Sequence, residues 1–235
     1  MHRDRLSYLE FLGGGVTSDL LFVCVANVCR SPLMEIVLST QVDADRSDVA
    51  VTSAGTEVGR ASHMCDIAAR LIPNNPAARE AAELHTPRAV TGEVIASQDL
   101  IITAARLERS QIAKIDPSAR AKTFTLREAI ALGEADMTAP ERKQFERAAA
   151  AGVSVAAVYA DLLNGRRGRV LPPRETGMRL PWHPPANPMD IPDVHGAGWH
   201  RHQSQLRALR AHTNHFGRQW GEIAAQFGSV PRRTF

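Results

Sequence analysis

Apolar and polar positions follow two rhythms along the chain. Leu20-Leu21-Phe22-Val23 is an unbroken apolar run that ends at Cys24, the pattern of a short buried strand over residues 20–24. Residues 33–40 then place Met34, Val37 and Leu38 at helical spacing, and residues 49–54 read as a second strand. Residues 62–72 predict a helix with Met64, Ile67, Ala68 and Leu71 on its packed face, which makes Cys65 a small core residue within that helix. Asn74-Asn75-Pro76 breaks the chain. Residues 99–103 and 121–126 predict two more strands, followed by helices over 106–115 and from 126 to 132. Such strand–helix alternation predicts a parallel sheet covered on both faces, with ligands bound beyond the carboxyl ends of its strands. Cys24 stands at one such end. Further on, residues 140–164 look like one helix and residues 165–188 like a Gly-, Arg- and Pro-rich loop. Residues 1–18 read as an N-terminal extension jointed at Gly13-Gly14-Gly15.

The junction between the first strand and its helix carries the candidate chemistry. Cys24-Val25-Ala26-Asn27-Val28-Cys29-Arg30-Ser31-Pro32 is a short loop leading into a helix start, with Pro32 suited to the first helical position and Ser31 to the cap. Loop amides and a helix N-terminus in this arrangement favour an anion, whether thiolate or phosphate. A sulfur nucleophile facing a bound phosphate, with a guanidinium fork on two of its oxygens, makes a phosphoryl-transfer site. Spacing alone would leave a buried Cys and a solvated Arg as the simpler reading.

The unbroken run resembles the phosphate loop of the low-molecular-weight protein tyrosine phosphatases, Cys-x-Gly-Asn-x-Cys-Arg-Ser-Pro followed by an early helical Glu. Cys24, Asn27, Cys29, Arg30, Ser31, Pro32 and Glu35 match, and Ala26 replaces the Gly. Ala26 would be strained there if the position needs positive φ. The resemblance resumes at Asp190-Ile-Pro-Asp193-Val194-His195-Gly196, where the family carries its general-acid loop, with Val194 and His195 in place of a Pro and an aromatic.

This resemblance implies a three-layer α/β fold, a four-stranded parallel sheet with helices on both faces, with a helical and loop insertion at 133–188 before the general-acid loop. Residues 19–235 would form a single phosphatase domain. The implied activity is hydrolysis of phosphotyrosine and other aryl phosphate monoesters through a cysteinyl-phosphate. Cys24 is then the nucleophile, Arg30 the phosphate fork and Asp193 the general acid. Val25, Ala26, Asn27, Val28, Cys29 and Ser31 bind substrate, the Ser31 hydroxyl also donating to the sulfur. Ser53 supports Asn27, and Asp190 supports the acid loop. The segment His85-Thr-Pro-Arg88 matches a structural His-x-x-Arg of the family, with His85 expected at a helix start. A reversible Cys24–Cys29 disulfide is also a family property, which stands beside simple packing of Cys29 beneath the loop.

Two other functions share the motif. A thioredoxin-coupled arsenate reductase would need two further relay thiols, and only Cys65 lies beyond the loop. A phosphate- or phosphotyrosine-binding protein without turnover would not need Cys24, Arg30 and Asp193 together.

Composition narrows the setting. The chain has 235 residues with 44% hydrophobic content, enough for one good core. No apolar run reaches the length of a membrane span, and the first fifteen residues lack the apolar core of a secretory signal. Three cysteines argue against a disulfide framework and fit a cytoplasmic setting. Net charge is +3, but residues 166–235 carry eleven Arg against four acids. Without an aromatic-interleaved or zinc-finger pattern, this basic tail reads as a solvated face, with nucleic acid a weak alternative. Six of the nine His fall in the C-terminal stretch. No neighbouring Cys or acid in the sequence completes a ligand set with them, so no metal and no cofactor are expected. The expected partner is a phosphotyrosine-containing protein, with a homo-oligomer left open and no membrane.

Overall fold

The computed structural model describes residues 17–42, 49–61, 63–169, 187–196 and 198–228. Strands β1 (Ser18–Cys24), β2 (Val49–Gly55), β3 (Leu100–Thr103) and β4 (Thr123–Thr125) form one parallel sheet in the order β2-β1-β3-β4. The central strand β1 pairs in register from Ser18↔Val49 to Cys24↔Gly55 on one side and from Leu20↔Leu100 to Val23↔Thr103 on the other. Parallel neighbours require crossovers, and helices supply them.

The two-residue period of β1 sorts its side chains into two cores. Leu20, Phe22 and Cys24 join the larger core, with helices α1 (Arg30–Ser39), α2 (Asp66–Ala69) and α3 (Pro76–Leu84). Leu21 and Val23 face a smaller one with α4 (Gly92–Ala96) and α5 (Arg106–Ile115). The larger core is completed by α6 (Leu126–Gly133), α7 (Ala139–Ala150), α8 (Val155–Arg166) and the long α9 (Trp199–Gly228). Phe22 and Phe216 are both fully buried and meet edge to face with centroids 6.3 Å apart, tying β1 to α9. Each such side chain contributes about 1.5–3 kcal/mol by burial. Among the described residues, no helix is long and apolar enough to cross a membrane.

Several element boundaries differ from the sequence expectation. Helix α1 begins at Arg30 with Cys29 as its cap residue, so Ser31 does not cap it and Pro32 is not its first residue. The predicted helix over 62–72 shrinks to α2, and Cys65 is its cap residue rather than a helical core residue. His85 ends α3 rather than starting a helix. A 3₁₀ segment, Pro117–Lys122, takes up the start of the expected fourth strand. Residues 140–164 form two helices because Gly152 takes a positive φ of 75° and Ser154 caps α8 through the Ala157 amide. The N-terminal extension, apart from residues 17 and 18, and most of the 165–188 loop lie outside the described residues.

Helices α7 and α8 fall within the stretch expected as an insertion, yet Val155, Ala156, Tyr159, Ala160 and Leu163 are part of the larger core. Arg166 fastens the two helices to α6. Its buried guanidinium donates to the carbonyls of Leu132 and Ala135, both at 2.8 Å, and pairs with Glu141 at 2.9 Å. Arg166 thereby holds the Glu141 carboxyl down to about 2. A carboxyl lower in the folded than in the unfolded chain stabilises the fold above its unfolded pKa and stops doing so as pH falls through its folded one. Wild type is therefore expected to lose its stability advantage over Glu141→Gln as pH drops from about 5 towards 2. Urea denaturation of both proteins across that range checks this, and a constant difference would refute it.

Candidate active site

The phosphate loop is held from outside by its carbonyls. The carbonyl oxygens of Cys24, Val25 and Val28 accept from the amides of Thr56, Glu57 and Cys65 at 3.0, 2.8 and 2.9 Å. The Asn27 carbonyl lies 2.8 Å from His85 Nε2. In a trans peptide the N–H points opposite to the C=O. The amides of Val25, Ala26, Val28 and Cys29 are thereby aimed away from those outer partners, towards the concave side.

Asn27 is the post around which the loop turns. It takes φ 55°, the only positive φ at a non-glycine residue among those described, and Asn tolerates this region better than most residues. Ala26 therefore escapes the strain considered for it. The buried Asn27 amide donates to Ser31 Oγ at 2.9 Å and Ser53 Oγ at 2.8 Å, while its oxygen accepts from the Arg88 amide at 2.9 Å. Ser53 in turn donates to Glu35 at 2.5 Å. Burial pushes the Glu35 carboxyl up, with the Ser53 bond acting against it. Arg88 Nε also donates to the Ser53 carbonyl at 2.7 Å, so His85 and Arg88 both brace the loop.

Gly55 completes the brace. A Cβ here would meet the Val25 oxygen at 2.6 Å and the Ala26 carbon and Asn27 nitrogen at 2.9 Å, all backbone. Gly55→Ala is expected to displace the phosphate loop, lowering kcat/KM at least about 10-fold and stability by about 1–3 kcal/mol. Steady-state kinetics with a thermal melt checks this, and a variant with wild-type values of both would contradict the close approach.

The candidate reactive groups converge on this loop. Cys24 Sγ lies 3.1 Å from Ser31 Oγ, and both are buried. Seven residues separate them in the chain, but the turn over Asn27 brings them together. Arg30 is 5% exposed and reaches out from the first turn of α1. Its Nη1 donates to the Ile191 carbonyl at 3.1 Å and pairs with Glu108 at 3.3 Å, while Nη2 pairs with Asp193. Asp193 is half-exposed, and its other oxygen accepts from the His195 amide at 3.0 Å.

The segment carrying Asp193 is anchored at its root. Asp190 accepts from the Arg106 amide at 2.8 Å at the start of α5 and pairs with the Arg106 guanidinium. The Ile191 amide donates to the Ala104 carbonyl at 2.9 Å, just past β3. Arg127 donates to the carbonyls of Pro188 and Asp190.

Two groups were not anticipated from the sequence. Glu108, in an otherwise charged helix, is 1% exposed behind Arg30. Burial pushes its carboxyl above the usual range, and the Arg30 charge works against that shift. Cys65 is brought beside Cys29, so the expectation that no Cys accompanies the C-terminal histidines is corrected. Cys29, Cys65, His195 and His202 each present one potential ligand atom, all within 4.8 Å of one another. Cys29 Sγ lies 3.1 Å from His195 Nδ1. The closeness of the two thiols pulls that of Cys65 down to about 5 and, together with burial, pushes that of Cys29 up. His200, the other histidine of this turn, instead stacks edge to face with Trp199, centroids 4.9 Å apart.

Comparison with known proteins agrees with the architecture. The family described as low molecular weight phosphotyrosine protein phosphatase matches residues 19–158. The chain is 32% identical over 107 residues to the low molecular weight protein-tyrosine-phosphatase Etp of Escherichia coli K12, covering 46% of this chain and 68% of the relative. It is 28% identical over 131 residues to a protein-arginine-phosphatase of Bacillus subtilis, covering 52% and 79% respectively. The solved YwlE arginine phosphatase from Geobacillus stearothermophilus shares the fold, with a TM-score of 0.54 at 17% identity over 91% of this chain and 98% of that one.

Proposed function

We propose, from the premise that this chain belongs to the low molecular weight phosphotyrosine protein phosphatase family, that it cleaves aryl phosphate monoesters, phosphotyrosine in proteins above all, through a cysteinyl-phosphate. Membership makes it a hydrolase of phosphoric monoesters. The observation that carries the finer reading is the convergence of Cys24, Ser31, Arg30 and Asp193 on one loop mouth.

The substrate phosphate settles on the inward amides of the loop, and Arg30 exchanges its contact with Asp193 for two phosphate oxygens. Glu108 and the Ile191 carbonyl keep hold of the guanidinium during that exchange. Cys24 Sγ attacks phosphorus in line as the thiolate, the S–P bond forms and the ester P–O bond breaks. Protonated Asp193 gives its proton to the departing phenolic oxygen. In the second step Asp193 takes a proton from water, the water oxygen attacks phosphorus, and the sulfur leaves with the Ser31 hydroxyl donating to it. Loop amides and Arg30 meet the charge that builds on the phosphoryl oxygens, usually the largest single contribution. Val28, Met64, Ile67 and Trp199, together with Cys65, His195 and His202, line a groove beside the loop.

Asp193→Asn separates acid catalysis from binding. Its kcat/KM on a phosphotyrosine peptide is expected to fall about 10²-fold or more, and much less on a nitrophenyl phosphate, whose leaving group needs little protonation. Equal losses on both would remove Asp193 from the acid role. Substrate class is tested in parallel with phosphotyrosine, phosphoserine and phosphoarginine peptides. Preference for the first supports the reading. Preference for phosphoarginine, the substrate class named for the Bacillus relative, would overturn it in favour of N-phosphate hydrolysis on the same machinery.

A further inference from the structure

We propose that Cys29, Cys65, His195 and His202 form a site for a borderline-soft divalent cation of the zinc type, on the outer side of the phosphate loop. The four residues come from four separate places: the end of the phosphate loop, the cap of α2, the acid loop and the first turn of α9. Local sequence cannot assemble such a set, so its convergence is a property of the fold.

Geometry and donor type agree. A tetrahedral zinc site with Zn–S of about 2.3 Å and Zn–N of about 2.0–2.1 Å has edges of roughly 3.3–3.8 Å. The Cys29 Sγ–His195 Nδ1 separation of 3.1 Å is slightly shorter than such an edge, and all four donor atoms lie within 4.8 Å of one another, close to the span of one tetrahedral site. Gly196 and Gly198 take φ of 89° and 90°, which turns the chain sharply enough to bring His195 back against His202. The two rings meet edge to face with centroids 5.1 Å apart. The Cys65 amide is tied to the Val28 carbonyl at 2.9 Å, so its sulfur is carried by the phosphate loop itself. Two thiolates and two imidazoles suit zinc and its neighbours rather than magnesium or calcium, and four protein donors leave no open position for chemistry.

The site's consequence is positional. Cys29 precedes Arg30, and His195 follows Asp193 by two residues, so a bound ion would fix the acid loop against the phosphate loop. It would also withhold Cys29 from oxidation. The inference does not depend on which phosphate ester is the substrate.

The test is titration of the reduced, metal-free full chain with Co²⁺ under a phosphine reductant, read by absorbance and followed by competition with Zn²⁺. Wild type and Cys24→Ser are expected to take up one equivalent, with a thiolate-to-cobalt charge-transfer band and intense tetrahedral d–d bands that Zn²⁺ abolishes. Cys65→Ser and His202→Gln, checked for folding by circular dichroism, should each weaken binding at least about 100-fold. Absence of the charge-transfer band in folded wild type would overturn the proposal. So would a band that survives in both ligand variants, or one lost in Cys24→Ser, which would put the metal on the catalytic sulfur.

Discussion

Cys24→Ser is expected to lower turnover of an aryl phosphate by about 10⁴-fold or more while leaving the fold and phosphate binding in place. The substitution changes one buried atom at the end of the central strand. An alcohol oxygen fits where the sulfur sat, still beside Ser31 Oγ. It is a far weaker nucleophile, and its phosphate ester would be a far poorer leaving group in the second step. The brace around Asn27, built from Ser53, Arg88, His85 and Gly55, does not touch Cys24 Sγ, so the anion cradle should survive. A melt within a few degrees of wild type, with orthophosphate still bound, would accompany the loss. Turnover close to wild type would remove Cys24 from the chemistry.

Arg30→Lys should cost about 10³-fold in kcat/KM despite conserving charge. Arg30 uses its planar fork in three directions, to Glu108, to the Ile191 carbonyl and to Asp193. A lysine ammonium is a single point and cannot keep Glu108 and the acid loop while also gripping two phosphate oxygens. Glu108 already has one oxygen, Oε2, without a hydrogen-bond partner, so a cation displaced from it leaves a buried carboxyl poorly matched. Part of the loss should therefore appear as lower stability, seen in a denaturant melt. A Lys variant with full activity would show that point charge suffices and that the fork is unnecessary.

The phosphate loop was legible because its chemistry is contiguous. The end of the strand, Cys24, Asn27, Arg30 and Ser31 lie within one short stretch of chain, and residues 20–24 announced their burial by composition alone. Asp193 was singled out by its match to the family's acid loop just before the last helix, and the structure sets it beside Arg30. Glu108 was hidden because helix α5 reads as a charged surface helix, and only packing against Arg30 explains its burial. Cys65 was misplaced because apolar spacing over 62–72 suggested a helix that in fact begins only at Asp66. Its meeting with Cys29, His195 and His202 depends on contacts far apart in sequence, which no local period encodes. The division of residues 140–164 turned on Gly152, a single left-handed residue just past an alanine run that otherwise favours one helix.

The most direct test of the central claim is rapid acid quench of wild-type protein during turnover of an aryl phosphate, followed by mass analysis of its peptides. The account predicts one added phosphoryl group on the peptide containing Cys24, absent in Cys24→Ser and lost again once substrate is exhausted. Turnover with no phosphorylated Cys24 peptide at any quench time, or with the phosphoryl group on another residue, would contradict it.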